Sequence, residues 1–167
     1  MTIGGNDKAP EPASLAWFVV QASSRAEFKI EEAVRELGHD AYCPAEIKFR
    51  RSPRSASTLK LAMLPGYLFI GLRPDRRGDM PFPKIHAIEG VIGILGSSGR
   101  PAQIAYQHAG DGFQIGVVRE MEADGAFDHT RHAHLKSATR KVRRTVKSFS
   151  ELASVLTQGD DQDDETG

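Results

Sequence analysis

Residues 63–70 read MLPGYLFI, and this stretch decides how the chain is parsed. A Pro-Gly pair in an apolar, aromatic run removes a ladder donor and adds backbone entropy, so it predicts a bulge or bend in a strand over 63–72, with Leu64 and Tyr67 re-aimed around it. Upstream, residues 51–60 (RSPRSASTLK) read as a polar loop, and 41–50 as a strand that turns basic, so that 41–72 forms one long hairpin. Before the hairpin, Ala26, Ile30, Ala33, Val34 and Leu37 recur at helical spacing until Gly38, with Ser24 and Glu27 spaced as a capping box. Residues 15–22 (LAWFVVQA) are short, aromatic and β-branched, as in a strand covered on both faces. Downstream, 81–89 predicts a short helix and 91–95 (VIGIL) a strand closed by a turn at 96–99. Val117, Val118 and Met121 predict a last helix that ends before Gly125, with Asp111 and Gln114 as its cap. The order β, α, β-hairpin, α, β, α predicts an α+β fold: a small antiparallel sheet with helices packed on one face, of the ferredoxin-like split βαβ kind.

The chain of 167 residues fits one domain with tails. Its 22 Lys and Arg balance 22 Asp and Glu, so any nucleic-acid signal must be local. The single cysteine, Cys43, excludes an intramolecular disulfide framework and reads as a buried, inert thiol. Residues 1–14, with Gly4, Gly5, Pro10 and Pro12, read as a mobile tail, and with only Lys8 basic they do not read as a signal peptide. The weakly polar run 61–72 is too short to span a bilayer, so no membrane partner is expected and the localisation expected is cytoplasmic. There is no P-loop, dinucleotide fingerprint, nucleophile elbow or two-histidine zinc helix. His129, His132 and His134 have no further ligands to complete a metal site. No enzyme, catalytic residue, metal or cofactor is expected.

Several motifs then fall in one order. Trp17, Phe18, Val19, Val20 and Gln21 open the first strand; a helix follows; Pro44 sits in the second strand; Leu64, Pro65, Gly66 and Tyr67 form the turn. Glu89, Gly90, Val91, Gly93, Gly96, Arg100 and Pro101 come last. In this order and spacing, residues 15–128 resemble the N-terminal domain of the NusG family of transcription elongation factors. The resemblance implies a monomeric accessory subunit of RNA polymerase. It places Leu64, Pro65, Tyr67 and Gln21 on the patch that docks the β′ clamp helices, with Leu64 standing where the family usually has phenylalanine. Phe82 falls on the β-subunit side. Lys48, Arg50, Arg51, Arg54 and Lys60, with no acid between Glu46 and Asp75, fall on the hairpin that lies near upstream and non-template DNA. The hairpin reads as a flexible serine-rich tip without an aromatic for base stacking.

Typical members of the family end in a KOW β-barrel, and its glycine-marked pattern is absent. Instead Val142, Val146, Phe149, Ala153 and Leu156 follow a helical stripe. Residues 129–157 are therefore expected to be a basic segment leading into an amphipathic helix, and 158–167 an acidic disordered tail. In a specialised branch of the family, a helical C-terminal region masks the clamp-helix patch. The competing reading is a single-stranded RNA-binding module on a ferredoxin-like sheet, which requires exposed aromatics on its central strands.

Overall fold

The computed structural model describes residues 10–52, 54–107, 113–130 and 147. Its elements in chain order are β1 (Ala16–Ala22), α1 (Glu27–Glu36), β2 (Asp40–Tyr42), β3 (Ala45–Ser52), β4 (Ser55–Ala62), β5 (Tyr67–Leu72), α2 (Phe82–His86), β6 (Val91–Ile94), β7 (Gly96–Ser97), β8 (Arg100–Pro101) and α3 (Ile115–Ala123). The stripe at 142–156, the acidic tail and residues 1–9 of the leader lie outside the described residues. Among the described residues, no helix is long and apolar enough to cross a membrane.

Four strands form an antiparallel sheet in the order β2-β5-β1-β6. Because β1 and β2 each pair antiparallel with β5 between them, β1 and β2 run parallel, with α1 as their crossover. This is the split βαβ arrangement read from the sequence. The strand period of two sorts the side chains into two cores. Phe18 and Val20 of β1, with Leu68, Ile70 and Leu72 of β5, pack under Ile30 and Val34 of α1 and Ile85 of α2. Trp17, Val19 and Phe69 face the other way, with Ile115 and Val118 of α3 and Phe127. The expectation of helices on one face is thus corrected: α1 and α2 cover one side and α3 the other. The apolar residues at both parities of β1 require it, since each face needs its own cover.

Trp17 anchors the second core. It is fully buried, meets the Tyr106 ring at a tilt of 31° with 5.0 Å between ring centroids, and lies against Gly71, where a Cβ would meet its ring at 2.7 Å. Its Nε1 donates to Pro12 O at 2.6 Å, and Pro12–Ser14 forms a 3-10 turn. The end of the leader expected to be mobile is therefore fastened to the core.

The hairpin differs most from its sequence reading. The segment 41–50 is two strands, not one: β2 belongs to the sheet, and Pro44, which has no N–H, falls at the break before β3. The supposed loop 51–60 is mostly strand, because β3 and β4 pair over eight positions from Ala45↔Ala62 to Ser52↔Ser55. They make a separate two-stranded ribbon. The Pro-Gly pair lies in a tight turn before β5 rather than in a bulge within it. At the start of α1 the capping box is not made: the N-cap is Ala26, without a side-chain cap. Glu27 turns inward instead. The N-cap of α3 is Gln114, likewise without a side-chain cap, and Asp111 lies outside the described residues.

Candidate functional site

Two features project the residues singled out by sequence, and they are built differently. The first is the turn 64–67. Tyr67 N donates to Leu64 O at 2.9 Å, and Gly66 has φ +87°, so Pro65 and Gly66 occupy the two central positions of a type II turn. Gly66 is held on both sides: its N–H donates to Glu27 Oε1 at 2.8 Å, and its carbonyl accepts from Ala22 N at 2.8 Å. Glu27 is 4% exposed, so a buried carboxylate at the first turn of α1 is committed to fixing this backbone. Leu64 is 5% exposed and belongs to the core with Trp17 and Phe69. Pro65 is exposed and Tyr67 half-buried, and Tyr67 stands opposite Gln21 on β1, itself half-buried. A groove of about 330 Å³ between β6 and the β7–β8 hairpin opens beside Gln21, bordered by His86, Ile92 and Arg100.

The second feature is the ribbon, fastened at its root. Cys43 N and Ala45 N, on either side of Pro44, donate to carboxylates from opposite helices: Glu31 Oε2 of α1 at 2.5 Å and Glu122 Oε1 of α3 at 3.0 Å. On the outer edge of β3, Ile47 N donates to Phe127 O at 3.0 Å, and Ile47 O accepts from His129 N at 2.9 Å. His129 Nε2 and Lys48 Nζ both meet the Glu46 carboxylate at 3.0 Å. Above this level the ribbon is open to solvent. Phe49 is 61% exposed and Leu59 39%.

The root also contains a polar cluster between α3 and β2. Arg119 makes two hydrogen bonds to Asp40, at 2.8 and 3.0 Å, and lies 5.4 Å over the Tyr42 ring. The Tyr42 hydroxyl is buried beside Glu122 without a partner in hydrogen-bond geometry. Burial, then the neighbouring Glu122 charge, pushes the Tyr42 hydroxyl well above its ordinary range, and burial raises Glu122 above that of a free carboxyl. Burial and the Glu31 carboxylate likewise raise Cys43, so its thiol stays protonated and is no nucleophile.

A family model described as "Transcription termination factor nusG" matches residues 15–109. The chain belongs to the NusG family. The family is one of non-enzymatic transcription factors. Among solved structures, the chain is similar to one titled "Domain interaction in Thermotoga maritima NusG", at 21% identity and a TM-score of 0.34, over 56% of this chain and 52% of that one. The chain therefore matches about half the length of that structure. No curated protein matches it.

The residues that the NusG resemblance assigned are not equivalent in the fold. Leu64 does not offer its side chain to a partner: it is packed into the core, and it supports the turn from beneath. Pro65, Tyr67 and Gln21 form the accessible part. Phe82 is half-buried and meets Phe18 edge-on at 5.1 Å, which makes it a packing residue of the first core. The five hairpin cations do not form one patch. Lys48 pairs with Glu46 at the root, and Lys60 lies over the Phe28 ring of α1 at 4.7 Å. Arg50 and Arg54 are exposed at the outer end, while the side chain of Arg51 is outside what is described. The sequence reading missed Phe49, although its alternation in IKFRR places an aromatic between Lys48 and Arg50. The sheet-based RNA-binding reading fails, since Trp17, Phe18 and Phe69 are buried and both faces of the sheet are covered.

Proposed function

We propose that this NusG-family chain is an elongation and antitermination accessory factor that docks the β′ clamp helices of RNA polymerase through the turn 64–67 and its neighbour Gln21. In this reading residues 15–128 are the polymerase-binding domain, approaching the β subunit on the other side and bridging the DNA cleft, with the ribbon directed toward upstream or non-template DNA. Two contacts made by one rigid body raise each other's effective concentration, and a ligand that prefers the closed clamp shifts the polymerase toward it. Processive elongation follows from longer-lived closed complexes. The observation that carries this reading is the turn itself: Pro65, Tyr67 and Gln21 are presented on a backbone fixed by Glu27 and Ala22, within the segment that matches the family. A preformed turn gives up little conformational entropy on docking.

The test is binding of the full chain to a purified clamp-helix fragment of β′. Tyr67→Ala, which truncates an aromatic anchor, is expected to weaken binding by about 2 kcal/mol, roughly thirtyfold. A folded Tyr67→Ala protein with wild-type affinity rejects the docking surface.

A further inference from the structure

The ribbon meets the sheet at a narrow neck. Two crossings of the chain carry it, at Cys43–Pro44 and at Met63–Leu64, and Met63 N donates to Pro44 O at 2.7 Å between them. Pro44 has no N–H, so the ladder is interrupted at that level. Glu31 holds Cys43 N on the sheet side of Pro44, whereas Glu122 holds Ala45 N on the ribbon side. Past the neck, β3 and β4 make extensive contacts only with each other.

Most of what reaches across the neck comes from one segment, 122–129. After Glu122 the chain turns at Gly125, whose φ is +82°, and Phe127 enters the second core, 3% exposed. The segment then runs parallel to the outer edge of β3 and bridges it at Ile47 and Asp128. Ile47 N donates to Phe127 O, Ile47 O accepts from His129 N, and the His129 ring meets Glu46. Thr130 N donates to Asp128 Oδ1 at 3.0 Å, which closes the segment in a turn. From β4, the exposed Lys60 adds its contact with the Phe28 ring. The two ends of the segment are thus fastened unequally. One is sunk in the core through Phe127, and the other holds the ribbon through the amides of Ala45, Ile47 and His129 and one partly exposed ion pair, which contributes little.

We propose that residues 122–129 are a releasable strap that sets the angle of the ribbon. Fastened, the strap holds the ribbon in the orientation of this structure; released, the ribbon swings as a unit about the Pro44–Met63 crossing with its own ladder intact. A few residues at the ends of elements are enough to absorb such a rotation. The ribbon also magnifies it. Ile47 lies three residues past Pro44 and Ser52 eight, about 10 Å and about 26 Å at roughly 3.3 Å per residue. Parting Ile47 from the strap by about 2 Å, which breaks both of its hydrogen bonds to it, therefore moves the tip by about 5 Å. A surface that takes the ribbon at another angle must first undo the strap, so the strap selects among the surfaces the ribbon can meet.

The experiment measures electron–electron double resonance distances in the full chain between spin labels at Ser55→Cys, at the ribbon tip, and Glu36→Cys, on α1, both exposed positions. Cys43 is 2% exposed, which leaves the introduced thiols to take the label. The strapped chain should give one narrow distance. His129→Pro removes the backbone donor to Ile47 O, and Glu122→Ala leaves Ala45 N–H without its acceptor; each should broaden or shift the distance by about 5 Å. Glu122→Gln keeps an acceptor and His129→Ala keeps the backbone donor, so both should stay close to the strapped distance. Hydrogen exchange in His129→Pro should speed up at the Ile47 amide and stay slow at the Gly66 amide and along the β3–β4 ladder. A broad distance in the otherwise unsubstituted chain, or the strapped distance in both His129→Pro and Glu122→Ala, overturns the strap. Equal loss of protection along the β3–β4 ladder means that the ribbon melts rather than swings, and loss at Gly66 means that the turn moves with it; either result overturns the pivot.

Discussion

The turn 64–67 and the ribbon 45–62 are neighbours in sequence, joined through Met63, yet they are held by opposite means. In the turn, a buried leucine, a buried carboxylate and a strand-end amide fix four residues. In the ribbon, the carboxylates and core contacts stop at the root, and the outer half is held mainly by its own ladder. A two-stranded ribbon alone is marginal in water, whereas a turn built into a core is as stable as the core. The difference teaches that the chain presents one rigid surface and one adaptable one. Substitutions in the buried frame of the first, at Leu64 and Glu27, should register as stability, and substitutions in the second as binding.

The largest effect should come from Leu64→Glu. At 5% exposure the carboxylate would enter an apolar core without a partner, and the leucine methyls would be lost as well. The expected loss is at least about 3 kcal/mol, seen as a lower urea midpoint and a red shift of Trp17 emission. A folded, equally stable Leu64→Glu protein would mean that this side chain is free to serve as the contact itself. Glu27→Leu comes next. It leaves Gly66 N–H without its acceptor, at a cost of about 1–3 kcal/mol. Glu27→Gln keeps an acceptor oxygen and should recover most of that. Faster hydrogen exchange at the Gly66 amide in Glu27→Leu, with amides in the centre of β5 less affected, would place the loss at the turn.

The fold was legible where one physical signal dominated. The aromatic and β-branched run LAWFVVQA and the repeat from Ala26 to Leu37 give β1 and α1 directly, and Gly125 ends α3 as read. The ribbon was not legible because Ser, Thr and Arg carry no burial pattern: a solvent-exposed strand pairs through its backbone, and RSPRSASTLK looks like a loop until its partner is known. Glu27 was misread for a related reason. Its spacing from Ser24 satisfies a local cap, while its real acceptor role is to Gly66, 39 residues away. Of the site, motif order identified the turn and the basic hairpin. It could not show that Leu64 points inward, or that Lys48 and Lys60 are spent at the root on Glu46 and Phe28.

A smaller, pH-dependent effect tests how the ribbon root is held. Burial raises Glu122 above its ordinary value of 4.5, so between the unfolded and folded values the folded chain binds more protons than the unfolded one. Stability from this group is therefore fully present below about 4.5 and is lost as pH rises through that window, so at neutral pH the carboxylate is a net cost. Glu122→Gln removes the charge, keeps an acceptor for Ala45 N, and brings an amide donor beside the unpartnered Tyr42 hydroxyl. The variant is expected to be more stable than wild type at pH 7, with a smaller advantage at about pH 4, by urea denaturation. An advantage independent of pH would assign it to the new Tyr42 contact rather than to the charge.

The smallest stability effect should come from the outer ribbon. Arg50→Ala with Arg54→Ala removes two exposed side chains, and Phe49→Ser removes one that is 61% exposed, so each variant should stay within about 0.5 kcal/mol of wild type. The effect should appear in nucleic acid instead. Removing two phosphate partners should weaken the DNA-dependent part of polymerase binding and flatten its salt dependence by a slope of about 2, with affinity for polymerase free of DNA unchanged. Equal losses with and without DNA would put the arginines on protein. If Phe49→Ser instead costs as much stability as Glu27→Leu, the ring is covered in solution. Dependence of that cost on protein concentration would then make the cover a second copy of the chain, and independence would make it a segment of the same chain. In either case the contrast between a rigid turn and an adaptable ribbon would fail at the ribbon.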